Sequence, residues 1–299
     1  MRNVSFEQQT IVLYNKKIQK VQNRDKQEEK KVKYRDPIIV ISEPPNYTKY
    51  DFALKTMDDI VEKIHNYNME DVFWLLEHNH VYTAGRSVKA GETLTQDIQV
   101  TQIGRGGKTT YHGAGQKVFY IMVNLKKMHG DKRDIREYIK AIEYGIIKFL
   151  AKFKIKGQIK EGLIGVWVDK EDTVLVSDKN NHHKSIKDKN SEKPKKWCKI
   201  ASVGVGVKKG ITMHGCAINI STDLNMFCKI LPCGMDNVTM CSVKSLFEEQ
   251  GEKKTEWRNC QFVNKCIINA FLDAFNFKPW NGKNNTIEEL IAYMETLVK

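Results

Sequence analysis

Residues 104–116 hold five glycines, at 104, 106, 107, 113 and 115, together with Arg105, Lys108, Tyr111 and His112. Glycine at that density excludes a helix, because each one costs about 1 kcal/mol in a helix interior relative to alanine. Ile98, Val100 and Gln102 alternate before the stretch, and Val118, Phe119, Tyr120, Ile121 and Met122 form an apolar run after it. The stretch therefore reads as a loop joining two strands, with either of two meanings: a plain connection, or a cradle whose backbone closes on a ligand. Local pattern leaves both open.

The rest of the chain fits around that loop as α+β. Ile38, Ile39, Val40 and Ile41 make a short strand that Pro44 and Pro45 bound. Tyr50, Leu54, Met57, Ile60, Val61 and Ile64 fall at helical spacing, and residues 71–76 return as a strand. Ile135, Tyr138, Ile139, Ile142, Ile146, Phe149, Leu150 and Phe153 predict a strong amphipathic helix capped by Asp131 or Asp134. A strand follows at 163–168, then a hairpin whose arms are 199–207 and 211–220, turning at 208–210. Trp257, Cys260, Val263, Cys266, Ile267, Ala270 and Phe271 give one more apolar helix face, and Leu290, Ile291, Met294 and Leu297 a shorter one. Strands and helices mix without regular βαβ alternation, which indicates α+β rather than a doubly wound fold.

A net charge of +13 invites a nucleic-acid reading, so its location decides its meaning. Residues 1–35 contribute +6 and residues 178–199 contribute +5, leaving +2 across the other 242 residues. The excess sits on appendages, which argues against a folded basic face. Residues 1–35 read as a basic, disordered arm or leader remnant, residues 36–299 as one catalytic domain, and residues 177–196 as a low-complexity insert too polar to offset its ordering entropy. No apolar run spans a bilayer, and residues 1–20 lack the apolar core of a secretory signal. Seven cysteines without a regular framework, and no C-x-x-C pair, point to reduced thiols rather than a disulfide scaffold or zinc ribbon.

Several side chains are candidates for chemistry. Cys233 lies in a Pro-Cys-Gly turn, exposed and held, which suits a nucleophile. Lys199 opens a strand of small residues and is either an activator of such a thiol or the last charge of the basic insert. His112 and His214, each beside a glycine, either orient a substrate or are satisfied core histidines. His78 and His80 share a strand face and are considered as metal ligands, but no acidic or thiol partner stands at a matching spacing, so no metal site is assigned. Cys260 and Cys266 read as small core hydrophobes, and Cys216, Cys228 and Cys241 have no evident activator.

Five blocks of sequence, in order, resemble the LipB family of lipoyl(octanoyl) transferases. They are residues 77–86, the 105–116 block reading RGGKTTYHGAGQ, 199–204 (KIASVG), 214–219 (HGCAIN) and 232–234 (PCG). The resemblance covers roughly residues 36–276 and implies the fold shared with biotin protein ligases and lipoate-protein ligase A. It implies that Cys233 forms an acyl thioester and that Lys199 promotes its ionisation. Arg105, Gly106, Gly107, Lys108, Thr109, Thr110, Tyr111 and His112 would line the acyl site, with Ser202, Val203, Gly204, Gly215, Cys216 and Ala217. The implied partners are octanoyl-acyl carrier protein as donor and lipoyl domains of 2-oxoacid dehydrogenase complexes or the glycine cleavage H protein as acceptor. Neither ATP nor another cofactor is required, and no nucleic acid or membrane takes part. Eukaryotic members suggest a mitochondrial or plastid-type location, with the cytoplasm as the alternative. Two positions depart from the family: Ala114 stands where proline is usual, and Lys117 replaces an apolar residue, which questions the inward face of the strand it begins. The rival readings are an ATP-dependent lipoate-protein ligase, which has no need of Cys233, and a basic nucleic-acid binder.

Overall fold

The computed structural model describes residues 35–89, 91–130, 134–171, 196–235, 238–251, 255–280 and 286–298. The proposed arm up to residue 34 and nearly all of the 177–196 insert, with His182 and His183, lie outside the described residues, as do the alternative cap Asp131 and the side chain of Cys233.

Within residues 36–299 a large mixed sheet carries the architecture. Its strands are β1 (Ile39–Thr48), β2 (Val72–His78), β6 (Gln116–Met122), β10 (Ile211–Asn219), β9 (Trp197–Lys208), β8 (Leu163–Asp169) and β7 (Gly157–Lys160), in that spatial order, with β11 (Thr239–Met240) attached to β9. A second sheet orders β4 (Val100–Gln102), β3 (Val81–Ala84) and β5 (Thr109–His112). Among the described strand pairs, β1–β2, β11–β9 and β3–β4 alone run parallel.

The central strands are apolar on both faces because both are covered. Along β2, Phe73 and Leu75 join one core cluster while Val72, Trp74 and Leu76 join the other, and β6 divides in the same way with Phe119 and Ile121 against Val118, Tyr120 and Met122. The first cluster packs under helices α3 (Ile135–Lys152) and α5 (Cys260–Phe275) and the short α4 (Val243–Glu249). The second packs under α1 (Tyr50–Tyr67) and α6 (Ile287–Thr296). A short helix, α2 (Leu125–His129), follows β6. Asp134 caps α3 by accepting from the amides of Arg136 and Glu137 at 2.9 and 3.2 Å.

The predicted hairpin is β9–β10, closed by Lys209 and Gly210, both at positive φ, in the primed geometry that matches strand twist. Three expectations change. The strand opening at Ile39 does not stop at Pro44 and Pro45 but runs on to Thr48, since β1 ends the order of its sheet and a missing N–H is tolerated on a sheet edge. Residues 104–116 are not one loop: Thr109, Thr110 and Tyr111, β-branched and aromatic, build β5 against β3. Trp257 precedes α5 in a separate 3-10 turn, because Asn259 caps the helix by accepting from the Phe262 amide at 3.0 Å.

Candidate active site

The hairpin aligns two of the sequence blocks residue for residue. Ser202 pairs with Ala217, Val203 with Cys216 and Gly204 with Gly215, so these six positions form one patch of β9 and β10. The glycine-rich segment is stitched on beside them, with Gly106 N–H donating to Val205 O at 2.8 Å. The buried Arg105 guanidinium locks that segment, donating to Gly106 O and Lys108 O and, across to β3, to Thr83 O and Oγ1, at 2.9–3.1 Å. Together these elements line a cavity of about 360 Å3.

Lys199 reaches the cavity through an irregularity in the sheet. Between β8 and β9 the register steps so that Val166 faces Ala201 but Trp167 faces Lys199, leaving Ile200 as an extra residue. Ile200 and Ala201 then both point into the same core, and Lys199 lies in the cavity wall. Bulges beside active sites re-aim side chains in this way. The lysine is 3 % exposed, donates to Ile164 O at 2.8 Å and lies 5.2 Å from the Trp167 ring centroid. Gly165 makes room for it: at φ +116° it has a conformation L residues avoid, and a Cβ there would come within 2.7 Å of Lys199 Cε.

The turn bearing Cys233, Pro232–Gly234, borders the same cavity, with Pro232 and Met235 in its lining. Residues 92–94 clamp it. Leu231 N–H donates to Glu92 O and Leu94 N–H to Lys229 O, each at 2.9 Å, and the buried Glu92 carboxylate pairs with Lys108. A Cβ on Gly234 would lie 3.2 Å from both Glu92 Oε1 and Lys108 Nζ, so the glycine-rich segment touches the cysteine turn through this ion pair. Burial pushes the Glu92 carboxyl up, but Lys108 and the amides of Lys89 and Thr109 outweigh it and hold the group below its ordinary value.

His112 and His214 both face the cavity and are buried: each lines it at under a tenth exposure. His112 Nδ1–H donates to Gln116 Oε1 at 2.7 Å, and Gln116 in turn donates to Asn219 Oδ1 at 3.0 Å, tying the segment to β10. Burial, with His78 and Arg105 nearby, lowers the His112 pKa to about 3, and burial with Arg105 lowers that of His214 to about 4. Both imidazoles are therefore neutral at pH 7. His78 and His80 do not converge. His78 donates from Nδ1 to Thr48 O at 2.7 Å and accepts at Nε2 from the Tyr120 hydroxyl at 2.6 Å, whereas His80 Nδ1 meets the Tyr111 hydroxyl at 2.5 Å.

Of the residues the sequence placed at the site, Arg105, Gly106, Gly107, Lys108, Thr109, Thr110, His112, Lys199, Ser202, Val203, Gly204, Gly215, Cys216 and Ala217 all line the cavity. Tyr111 does not. Strand alternation turns its ring away from His112 into a small cluster with Tyr82 and Phe227. Sequence reasoning missed the apolar wall that Ile135 and Ile139 of α3 supply with Leu163 and Trp167. It also missed Glu143, a buried carboxylate whose Oε1 accepts Gly165 N–H at 2.9 Å and whose pKa burial raises, with Gly165 and Lys199 opposing. The signal was present: Glu143 interrupts the apolar stripe of α3, four residues after Ile139.

Residues 49–265 match the family described as the lipoyl protein ligase A/B catalytic domain, a span that takes in every element just placed around the cavity. The chain belongs to this family. An octanoyltransferase of Rickettsia canadensis is 40% identical over 203 residues, covering 68% of this chain and 86% of the relative. One from the Wolbachia of Brugia malayi is 38% identical over 197 residues, covering 66% and 84%. The fold is also that of a bipartite lipoate protein ligase from Thermoplasma acidophilum, with a TM-score of 0.53 at 15% identity over 89% of this chain and 93% of that one. The family's α+β arrangement, with a mixed sheet flanked by helices, is thus the one seen here.

Proposed function

We propose that the chain is an octanoyltransferase of protein lipoylation that works through a covalent thioester on Cys233. The observation that carries the reading is the single cavity onto which Lys199, the glycine-rich segment and the Cys233 turn all open. Relatives at 38–40% identity bear the name octanoyltransferase, which supports the choice of acyl group.

The donor is octanoyl-acyl carrier protein. Its alkyl chain lies along the wall of Ile135, Ile139, Leu163 and Trp167, where each buried methylene is worth about 0.8 kcal/mol. Lys199, as the amine, takes the Cys233 proton, and the thiolate attacks the donor carbonyl. The carrier thiolate leaves and recovers a proton, and Cys233 holds the octanoyl group. A lysine amine from a lipoyl domain, the acceptor, then attacks this thioester, an amide forms, and the Cys233 thiol is restored. Backbone N–H groups of the glycine-rich walls are suited to the oxyanion that develops in both steps. The donor thioester is already activated, so neither ATP nor another cofactor enters.

Intact mass of the full chain after incubation with octanoyl-acyl carrier protein, without ATP, tests the proposal. An octanoyl adduct is expected on the wild type and not on Cys233→Ser. A wild-type chain that stays unmodified while transferring octanoate only in the presence of ATP would overturn it in favour of a ligase.

A further inference from the structure

Among the described residues Lys117, at the start of β6, is the most deeply buried cation outside the cavity region, at 5 % exposure. It follows the strand alternation of Phe119 and Ile121 and so points toward α5 rather than into solvent. Burial of an ammonium requires partners. One is Glu77, whose Oε1 lies 2.9 Å from Lys117 Nζ while its Oε2 accepts Gly115 N–H at 2.8 Å. The other is a thiol: Lys117 Nζ donates to Cys260 Sγ at 3.0 Å.

Cys260 differs from the small core hydrophobe expected of it. It is partly exposed and is the first residue of α5, a 16-residue helix capped by Asn259, where helix amides favour negative charge. An ammonium within hydrogen-bond distance, a helix N-terminus and partial exposure are the surroundings of reactive cysteines. Cys266 supplies an internal comparison. It lies on the same helix with the same intermediate exposure, but burial pushes its thiol up, opposed only through space by Lys152 and Lys265.

We propose that Cys260, paired with Lys117, is a second reactive thiol of this chain, a site of reversible oxidation by peroxide that is separate from the acyl-transfer cysteine. The Cys260 thiolate attacks one oxygen of hydrogen peroxide and the O–O bond breaks. Sulfur gives up two electrons and becomes a sulfenic acid that keeps the proton of the transferred oxygen, and the departing hydroxide takes a proton from Lys117 and leaves as water. A low-molecular-weight thiol then condenses with the protonated sulfenic acid to a mixed disulfide and water, and a second thiol restores Cys260. The site does not depend on the proposed acyl chemistry.

The test treats the full chain with hydrogen peroxide in the presence of a 1,3-dione that traps sulfenic acids, and follows each cysteine peptide by mass. Cys260 is expected to label at least tenfold faster than Cys266. Lys117→Met should remove most of that ratio. Glu77→Gln, which leaves Lys117 to the sulfur alone, should raise it. Because the measure is a ratio within one chain, a variant that loosens the fold speeds both peptides and is recognised as such. Equal labelling of Cys260 and Cys266 in the wild type, or a ratio unchanged in both Lys117→Met and Glu77→Gln, would overturn the proposal.

Discussion

Lys199 is aimed by a single extra residue in β9 and by a glycine opposite it, so small changes there carry large consequences. Gly165→Ala puts a Cβ within 2.7 Å of Lys199 Cε and 2.6 Å of Ala201 O at φ +116°. A loss of about 1–3 kcal/mol in stability is expected from the backbone conformation alone. Displacement of Lys199 should lower acyl-enzyme formation by at least about tenfold, since misplacing a group by 1 Å costs up to about a hundredfold. Denaturant titration and single-turnover mass measurement check the two parts. Tyr111 gives the contrasting case. Its hydroxyl meets His80 rather than the cavity, so Tyr111→Phe should cost about 1 kcal/mol of stability and leave kcat/KM within about twofold of wild type. A large fall in kcat/KM at unchanged stability would return Tyr111 to the site.

At the level of elements, β9, β10 and the glycine-rich segment wall one side of the cavity, while α3 bounds the space that the proposed acyl chain would fill. Ile135 and Ile139 face the cavity from the first turns of α3, a helix fixed by its Asp134 cap and by packing of Ile142, Ile146 and Phe149 into the core. Ile139→Phe should fill part of the cavity and shift preference toward shorter acyl groups. With each excluded methylene worth about 0.8 kcal/mol, loss of two corresponds to about a fifteenfold fall in kcat/KM for octanoyl donor relative to butanoyl donor. Competition between the two carrier-bound substrates reads that ratio directly. An unchanged ratio would place the chain elsewhere than along α3.

For the molecule as a whole, three buried neutral histidines make stability depend on pH. Burial lowers His78 to about 4, and burial with its neighbours lowers His112 to about 3 and His214 to about 4, from an ordinary value of 6.5. The unfolded chain binds protons on these residues as pH falls through 6.5, whereas the folded chain resists until about 4. Their contribution is therefore complete above pH 6.5 and is lost as pH falls toward 4, by up to about 1.4 kcal/mol per pH unit for each histidine. Urea midpoints should fall between pH 7 and pH 5. His214→Asn, which keeps a side chain able to hold φ +62°, should flatten that dependence. Midpoints that are level across this range would show that the histidines titrate normally in the fold.

The long helices, the β9–β10 hairpin and the motif blocks that mark the family were legible in the amino-acid sequence, because each rests on local periodicity, turn chemistry or residue identity. Residue identity also named Lys199 and, in the 105–112 and 202–217 blocks, positions that all line the cavity except Tyr111. Which groups meet was set by packing between distant segments. The exclusion of Tyr111 depends on which face of β5 is covered, the aim of Lys199 on a register step between β8 and β9, and the wall from α3 on a helix packed across the sheet. Glu92 was illegible for the same reason, and Glu143, though visible as a break in the apolar stripe of α3, gave no sign of its partner: a carboxylate shows its partner only when the chain brings Lys108 to one and Gly165 with Lys199 to the other. Lys117 is the sharpest instance. Sequence marked it as a charge where an apolar side chain was expected, and the fold placed it between Glu77 and Cys260, residues 40 and 143 positions away, where burial of its charge is compensated.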